Sequence, residues 1–352
     1  MEISMQDFFL TDLNIKKVRN IKDFKIPLSS NERKHLILTG KNGSGKTSTL
    51  IEIHNLLVKL HNNQYTQLQN IERQISNLYT QIPNVQKNIE NYTKTLDSLN
   101  IEKGIIETTT KLSSPQDLQH RIRDINSKIS DYQKHLDNSI NAIQSHKEQI
   151  KRLQKNKADF SNVDLIFNHQ EMMYKGVSDG SFILSYFPAQ RKNTPDIPKT
   201  ITKQSFQKKY PPQPALNKTF IQYMVNLYTE KMFANDEGDI QAVSDIEEWF
   251  KNFETSLKEL FDEPDLKLSF KRKELNFKIE YNDFSFGLNE LSDGYSSVLS
   301  IITEIILRMK SHNVDAYEMQ GLVLIDEIET HLHVDLQKKV LPFITQFFPK
   351  LQ

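Results

Sequence analysis

Residues 40–47 read Gly-Lys-Asn-Gly-Ser-Gly-Lys-Thr, the pattern G-x-x-x-x-G-K-[ST]. Gly40, Gly43 and Gly45 permit backbone angles and close approaches that a Cβ would block. Successive inward N–H groups then form a nest for polyphosphate. Lys46 can reach the β- and γ-phosphates, and the Thr47 hydroxyl can ligate Mg²⁺. Lys41, Asn42 and Ser44 complete the loop, and Ser48 follows it. Three of the chain's 10 glycines fall within these eight residues, which argues against a chance match in a flexible turn. A second group stands at Asp326-Glu327, where four apolar residues end in two carboxylates. There Asp326 could hold Mg²⁺, directly or through water. Glu327 is placed to take a proton from an attacking water. Alone, the pair reads equally well as exposed acids after a core strand; the loop upstream favours the chemical reading. A third group is Ser292-Asp293-Gly294, leading into a helix over 298–309. It reads either as a second anion site or as a simple N-cap by Ser292.

These groups need elements to hold them. His35-Leu36-Ile37-Leu38-Thr39 reads as a short buried strand before the loop, and residues 47–60 as a helix after it, which would aim a helix N-terminus at phosphate. Residues 322–325 read as a buried central strand with Asp326 and Glu327 at its tip. Upstream, 8–28 reads as a meander of half-buried strands. Residues 182–187 read as a strand, 188–214 as an irregular basic loop, 220–260 as mostly helical, and 266–286 as a strand pair.

Between the phosphate loop and these elements lies a different pattern. Apolar residues recur at Ile71, Ile75, Leu78, Ile82, Val85, Ile89, Tyr92, Leu96 and Leu99, in steps of three and four. A second run goes from Leu118 through Ile122, Ile125, Ile129, Tyr132, Leu136, Ile143, Ile150 and Leu153. Both are a/d heptad seams. Gly104, Thr108 to Thr110 and Ser113-Ser114-Pro115 separate them, all poor in helix propensity. The spacing predicts an antiparallel coiled-coil hairpin over 61–159, with arms of about 50 Å and a kink at Pro83. The globular part is then 1–60 plus 160–352.

At 37% hydrophobic and 26% charged, the 352 residues have the composition of a soluble globular protein. No apolar run is long enough to span a membrane, and no signal peptide is visible at the N-terminus. With no cysteine there is no disulfide framework, thiolate zinc site or cysteine-bound iron–sulfur cluster; a cytoplasmic location fits. The formal net charge is zero, so no global pull toward nucleic acid exists. Locally, Lys16, Lys17, Arg19, Lys22 and Lys25 cluster, as do Arg191, Lys192, Lys199, Lys203, Lys208 and Lys209, while 236–263 is acidic. Each reads as a solvated face, or as a surface for phosphates or for a basic partner. His331 and His333, two apart without a clear third ligand, suit a turn at a subunit interface better than a metal site.

A phosphate loop, then L-S-x-G before a helix, then an apolar strand ending Asp-Glu, resembles the order in ABC-type ATPase heads. The run from Asp326 to His333 is similar to the SMC/RecF-like group, and within it to the overcoming-lysogenization (OLD) family and related anti-phage ATPases. Ile328 and Val334 stand where that pattern has prolines. The resemblance covers about residues 8–60 and 180–350. It implies an α/β fold: an ABC-type P-loop NTPase head with the hairpin inserted after the P-loop helix. It further implies ATP and Mg²⁺ as cofactors and a homodimer or higher homo-oligomer. In such dimers Lys46 and Thr47 of one subunit face Ser292 and Gly294 of the other across ATP. Gln190 is a candidate for the glutamine that senses Mg²⁺, or is a loop residue. Arg19 is a candidate contact to nucleotide or DNA. The group's pattern continues into a further strand ending in a switch histidine, and this sequence stops where that strand would begin; without the histidine, hydrolysis is expected to be slow.

Three functions fit: a DNA-acting repair ATPase, an ATP-gated sensor or scaffold controlling a separate effector in anti-phage defence, and a structural module using ATP only for assembly. No nuclease constellation of the HNH or TOPRIM kind is present. The sensor reading is preferred, because zero net charge and a short hairpin argue against encircling DNA.

Overall fold

The computed structural model describes residues 7–108, 115–190, 194–310, 318–330 and 332–352. Arg191, Lys192, Thr109, Thr110, Ser113, Ser114 and His331 lie outside the described residues. The chain divides into two compact units, one of residues 1–64 with 162–352 and one of 65–161.

The first unit opens with β1 (Leu10–Val18) and β2 (Ile21–Pro27), an antiparallel hairpin. Leu13, Ile15 and Val18 of β1 are buried, as a half-buried sheet requires. The phosphate loop and α1 (Lys46–His61) follow. In the second unit, α2 (Tyr65–Thr108) and α3 (Pro115–Phe160) run antiparallel. Lys157 pairs with Glu72 at 2.7 Å, and further along Tyr92 meets the ring of His135 at 5.7 Å. With 44 and 46 residues the helices are about 66 and 69 Å long, more than the heptad count implies. The reason is energetic. One glycine costs a helix about 1 kcal/mol, so Gly104 does not end α2. Pro115 takes the first helical position, where no N–H is needed. The helix also continues through Pro83.

Returning to the first unit, β3 (Val163–Phe167) pairs with β1, giving the order β2-β1-β3. Next come α4 (Gln170–Asp179) and β4 (Phe182–Phe187), whose six residues are all buried. An irregular segment leads through a 3₁₀ turn (Asn217–Thr219) to α5 (Phe220–Glu237) and α6 (Ile240–Phe261). Then β5 (Lys267–Lys271), β6 (Asn276–Tyr281) and β7 (Phe284–Gly287) form an antiparallel sheet of three strands rather than a pair. The chain continues through α7 (Asp293–Met309), β8 (Gln320–Ile325) and α8 (Val334–Phe347). Strand β8 pairs with β4 in parallel, Leu184 opposite Leu322 and Phe187 opposite Ile325.

Helix α7 is buried nearly all round, and the charged pair it carries is hydrogen-bonded, as buried charge requires. Arg308 Nε donates to Glu304 Oε1 at 2.8 Å, and its Nη atoms donate to the carbonyls of Leu184 and Gln213. Glu304 Oε2 accepts from the N–H groups of Leu216 and Asn217 at 2.7 and 3.0 Å. One ion pair thus pins β4 and the irregular segment to α7.

One expected element is absent. Residues 35–39 form no strand, and Leu36 and Ile37 are 38% and 65% exposed. An apolar run becomes a strand only where a neighbour pairs its backbone. Beside this run the contacts are made by side chains: Gln352 Nε2 donates to the Lys34 carbonyl at 2.7 Å, and Arg33 to that of Pro349 at 3.1 Å. Leu351 instead bridges Gly321 of β8 in parallel.

Candidate functional site

The loop before α1 is shaped by its glycines. Gly40, Gly43 and Gly45 have φ of 152°, 80° and 99°. A Cβ at Gly40 would stand 2.9 Å from Ser44 Oγ, and one at Gly45 would stand 3.3 Å from Ile21 Cδ1. Gly43 differs from these two. It is exposed, and a Cβ there would meet nothing within 4 Å. Within this chain, then, Gly43 is required for its left-handed backbone alone and not for a close approach. Ser44 N–H donates to the Lys41 carbonyl at 3.1 Å, closing the turn that carries Asn42 and Gly43. Gly45 is the N-cap of α1; no side chain caps the helix and its first turn holds no acid. The first N–H groups are therefore aimed outward with partial positive charge, as an anion requires. Lys46 Nζ folds over the loop and donates to the carbonyls of Gly40 at 2.6 Å and Lys41 at 3.3 Å. Lys41, Asn42 and Ser44 are exposed and Ser48 is half-buried.

Asp326 follows β8 and is 5% exposed. Its N–H donates to the Phe187 carbonyl at 2.9 Å, extending the β4–β8 ladder by one residue. Its Oδ1 accepts from Thr47 Oγ1 at 3.4 Å, joining residues 279 apart in sequence. A hydroxyl and a carboxylate oxygen side by side are hard ligands of the kind Mg²⁺ takes, with phosphate and water completing its octahedron. The residues present therefore fit a Mg²⁺–nucleotide. Tyr186, one residue before Phe187, has its phenol pushed up by burial and by the Asp326 charge. Glu327 is exposed and has φ of 46°, a left-handed conformation uncommon outside glycine. Its Oε2 accepts from Thr330 Oγ1 at 3.1 Å.

The other predicted residues are placed less closely. Arg19 is exposed in the β1–β2 turn at φ 51°. Ile21, two residues on, faces Gly45, so this turn stands beside the phosphate loop. Gln190 is exposed three residues past β4. Ser292 is the exposed N-cap of α7 and makes no side-chain cap bond, while Gly294 is buried in its first turn. Among the described residues, no hydrogen bond joins Ser292 or Gly294 to residues 40–48. His333 Nδ1 stands 3.5 Å from Asp335. Among the described residues, no three His, Asp or Glu side chains group closely enough to hold a metal by themselves.

Sequence reasoning passed over Ile21, the Phe187 carbonyl and Thr330. The last carried a signal: a threonine three residues after an acid at a strand end is a turn-forming pattern.

A phosphate loop opening α1, with a carboxylate at the tip of a buried parallel strand against its threonine, defines a P-loop ATPase. The chain belongs to the AAA ATPase domain family, whose profile matches residues 9–348. It is similar to the Septu protein PtuA of Bacillus mycoides (strain KBAB4), 40% identical over 67 residues, covering 18% of this chain and 9% of that protein. It is also similar to the retron Ec83 probable ATPase of Escherichia coli, 31% identical over 88 residues, covering 24% of this chain and 16% of that one. The matched stretches thus span less than a fifth of either relative. No solved structure matches the chain. No described helix is long and apolar enough to cross a membrane.

Proposed function

We propose that this protein is an ABC-type ATPase of the SMC/RecF-like group that dimerises around ATP and acts as a sensor or scaffold controlling a separate effector in anti-phage defence. The observation that carries the ATPase reading is the Thr47–Asp326 contact at 3.4 Å, which brings the two halves of a Mg²⁺–nucleotide site together within one chain. Residues 40–45 cradle the phosphates by backbone N–H groups, and Lys46 swings from the loop carbonyls to the β- and γ-phosphates. Thr47 and Asp326 hold Mg²⁺, which when bound neutralises charge on the β- and γ-oxygens. Gln190, three residues past β4, would serve as a further ligand to that ion. Glu327 accepts the proton of the attacking water. Ser292 and Gly294 of a second subunit close the site, which fits the lack of any described bond between them and the loop of their own chain. The α2–α3 pair acts as a coiled-coil arm.

The defence role rests on the likeness to Septu and retron proteins, and on the resemblance of the run from Asp326 to His333. Direct action on DNA is the weaker reading. Of the five cations in the N-terminal cluster, Lys16 is paired with Asp164 and Lys25 with Asp12, both at 2.9 Å, so part of that charge is neutralised in place.

The decisive test is Glu327→Gln. ATP and Mg²⁺ should then hold a stable dimer, seen by light scattering after size exclusion, with hydrolysis reduced about 10²–10⁴-fold. A monomer at saturating ATP, or parental turnover, would sink the assignment.

A further inference from the structure

A recess of ≈ 310 Å³, counting the space at its mouth that is open to solvent, lies at the end of α1 away from the phosphate loop. His61 of α1, Arg308 of α7, Lys208, Lys209 and Tyr210 line it, together with apolar residues of α4 and β4. Among the described lining residues none is Asp or Glu. Arg308 is matched by Glu304 at 2.8 Å. Lys209 is not matched in this way. It is half-buried, and its Nζ donates to a neutral amide oxygen, Asn63 Oδ1, at 2.9 Å. Burial pushes its ammonium down, and no acid offsets the effect. Taking a cation out of water is costly unless an anion compensates it. His61 feels the same field: burial, then the charges of Lys209 and Arg308, hold its imidazole below the usual range. The end of α1 does not supply the missing negative charge. The carbonyls of Val58, Leu60 and Lys59 are already engaged by the N–H groups of Asn62, Asn63 and Gln64 at 3.0, 3.0 and 2.9 Å.

We propose that this recess is an anion site for inorganic phosphate, with the Lys209 ammonium as its principal contact and the His61 ring N–H and Tyr210 hydroxyl as neutral donors beside it. An ammonium has three donors, and the bond to Asn63 takes one. Tyr210 Oη accepts from the Gln207 N–H at 2.6 Å, which leaves its own proton to give. A cation among neutral donors suits a tetrahedral oxyanion, which accepts at each oxygen. Arg308 stays with Glu304 and adds only its field. The enclosed part of the recess is small, so a compact ion fits and a nucleoside does not. The site is separate from the phosphate loop. The 16 residues of α1 hold the two about 24 Å apart. It is nevertheless joined to that loop through the fold. Helix α1 carries Thr47 at its start, and β4 ends at Phe187, whose carbonyl holds the Asp326 N–H. An ion in the recess therefore braces the two elements that position the Thr47–Asp326 pair. The inference does not depend on the reading of the chain as a dimerising ATPase.

The test is calorimetric titration of inorganic phosphate into the full chain carrying Lys46→Ala, which weakens the phosphate loop as a competing site. In about 150 mM chloride, which screens surface attraction, one site should appear with Kd about 1 mM. Lys209→Met keeps the length of the side chain and removes its charge. Added to Lys46→Ala, it should weaken phosphate about 10-fold or more, the loss of one charge-assisted contact. Lys209→Gln should do the same, and serves if the methionine variant is unstable. Lys209→Arg keeps a cation and should hold the affinity within about threefold. AMP should bind about 10-fold or more weakly than inorganic phosphate, because its nucleoside has no room. A Lys209 that served only to steady the end of α1 would lower the melting temperature of these variants and leave phosphate affinity alone. No phosphate site in the Lys46→Ala chain, phosphate held as tightly without the Lys209 charge, or AMP bound as tightly as phosphate would each overturn the inference.

Discussion

The phosphate loop and the Ser292 turn are both serine- and glycine-bearing entries to a helix, yet the chain furnishes them differently. Around α1 it assembles a site: Lys46 and Thr47 emerge from the first turn, and β8 delivers Asp326 to within 3.4 Å of Thr47. Around α7 it assembles a foundation. The helix is buried nearly throughout and anchored by Glu304 and Arg308, and among the described residues its exposed entry, Ser292, bonds to nothing in the loop. The contrast teaches that helix entry alone does not make a site; what arrives opposite it does. For α1 that arrival is encoded in the same chain. For α7, on the function proposed above, it comes from a second copy.

Substitutions can separate the two halves. The largest effect after Glu327→Gln belongs to Lys46→Ala, which should weaken ATP binding about 100-fold, the loss of a charge-assisted contact to phosphate. Calorimetric titration checks this, and parental affinity would break the distinction at its stronger end. Ser292→Arg should leave ATP binding to the monomer within about twofold and reduce hydrolysis about 10-fold or more, by placing bulk and charge at a subunit contact. If it weakens monomer binding instead, the α7 entry serves its own chain's site. The smallest effect is acid sensitivity. His54 and His61 lie on α1, and burial depresses both; for His61 the charges of Lys209 and Arg308 add to it. The unfolded chain protonates near pH 6.5 while the folded one does not, so stability is lost as pH falls below that value toward the depressed folded ones. Helix α7 contains no histidine. Thermal melts between pH 8 and 5 should be flat above about pH 7 and fall below it. His54→Phe, which keeps a ring against Tyr186, 4.6 Å away and tilted, should recover about 2–4 °C of that fall. An unchanged slope would show that this histidine is not responsible.

Much of the molecule is legible in the sequence because it is locally dictated. The loop is set by its glycines, β4 and β8 by short apolar runs, and the long helices by their heptads. What escapes depends on partners that a linear reading does not contain. The motif does not say that Gly43 stands in open space while Gly40 and Gly45 are hemmed in by Ser44 and Ile21. Residues 35–39 have the composition of a strand, but no ladder forms there. Strand β7 has four residues and α4 has ten with a glycine inside, too little for a period to emerge. The ends of α2 and α3 escape because Gly104 and Pro115 count as breakers only when helix length and position are left aside. Gln190 and Ser292 can be nominated by pattern, but both are exposed, and a pattern carries no distance to the phosphate loop.

The pairing of β4 with β8 has a consequence in time. Phe182 lies opposite Gln320, and Gln352 reaches Leu10 across 342 residues of sequence. Contacts so distant form late, because chain entropy opposes them until the intervening segments have collapsed. Helices α2 and α3 need only each other and can pair while the ribosome is still making β4. The nucleotide site would therefore mature after the helical pair, since Thr47 waits for Asp326, 279 residues further on. A nascent chain should resist proteolysis in its helical pair well before it can retain ATP.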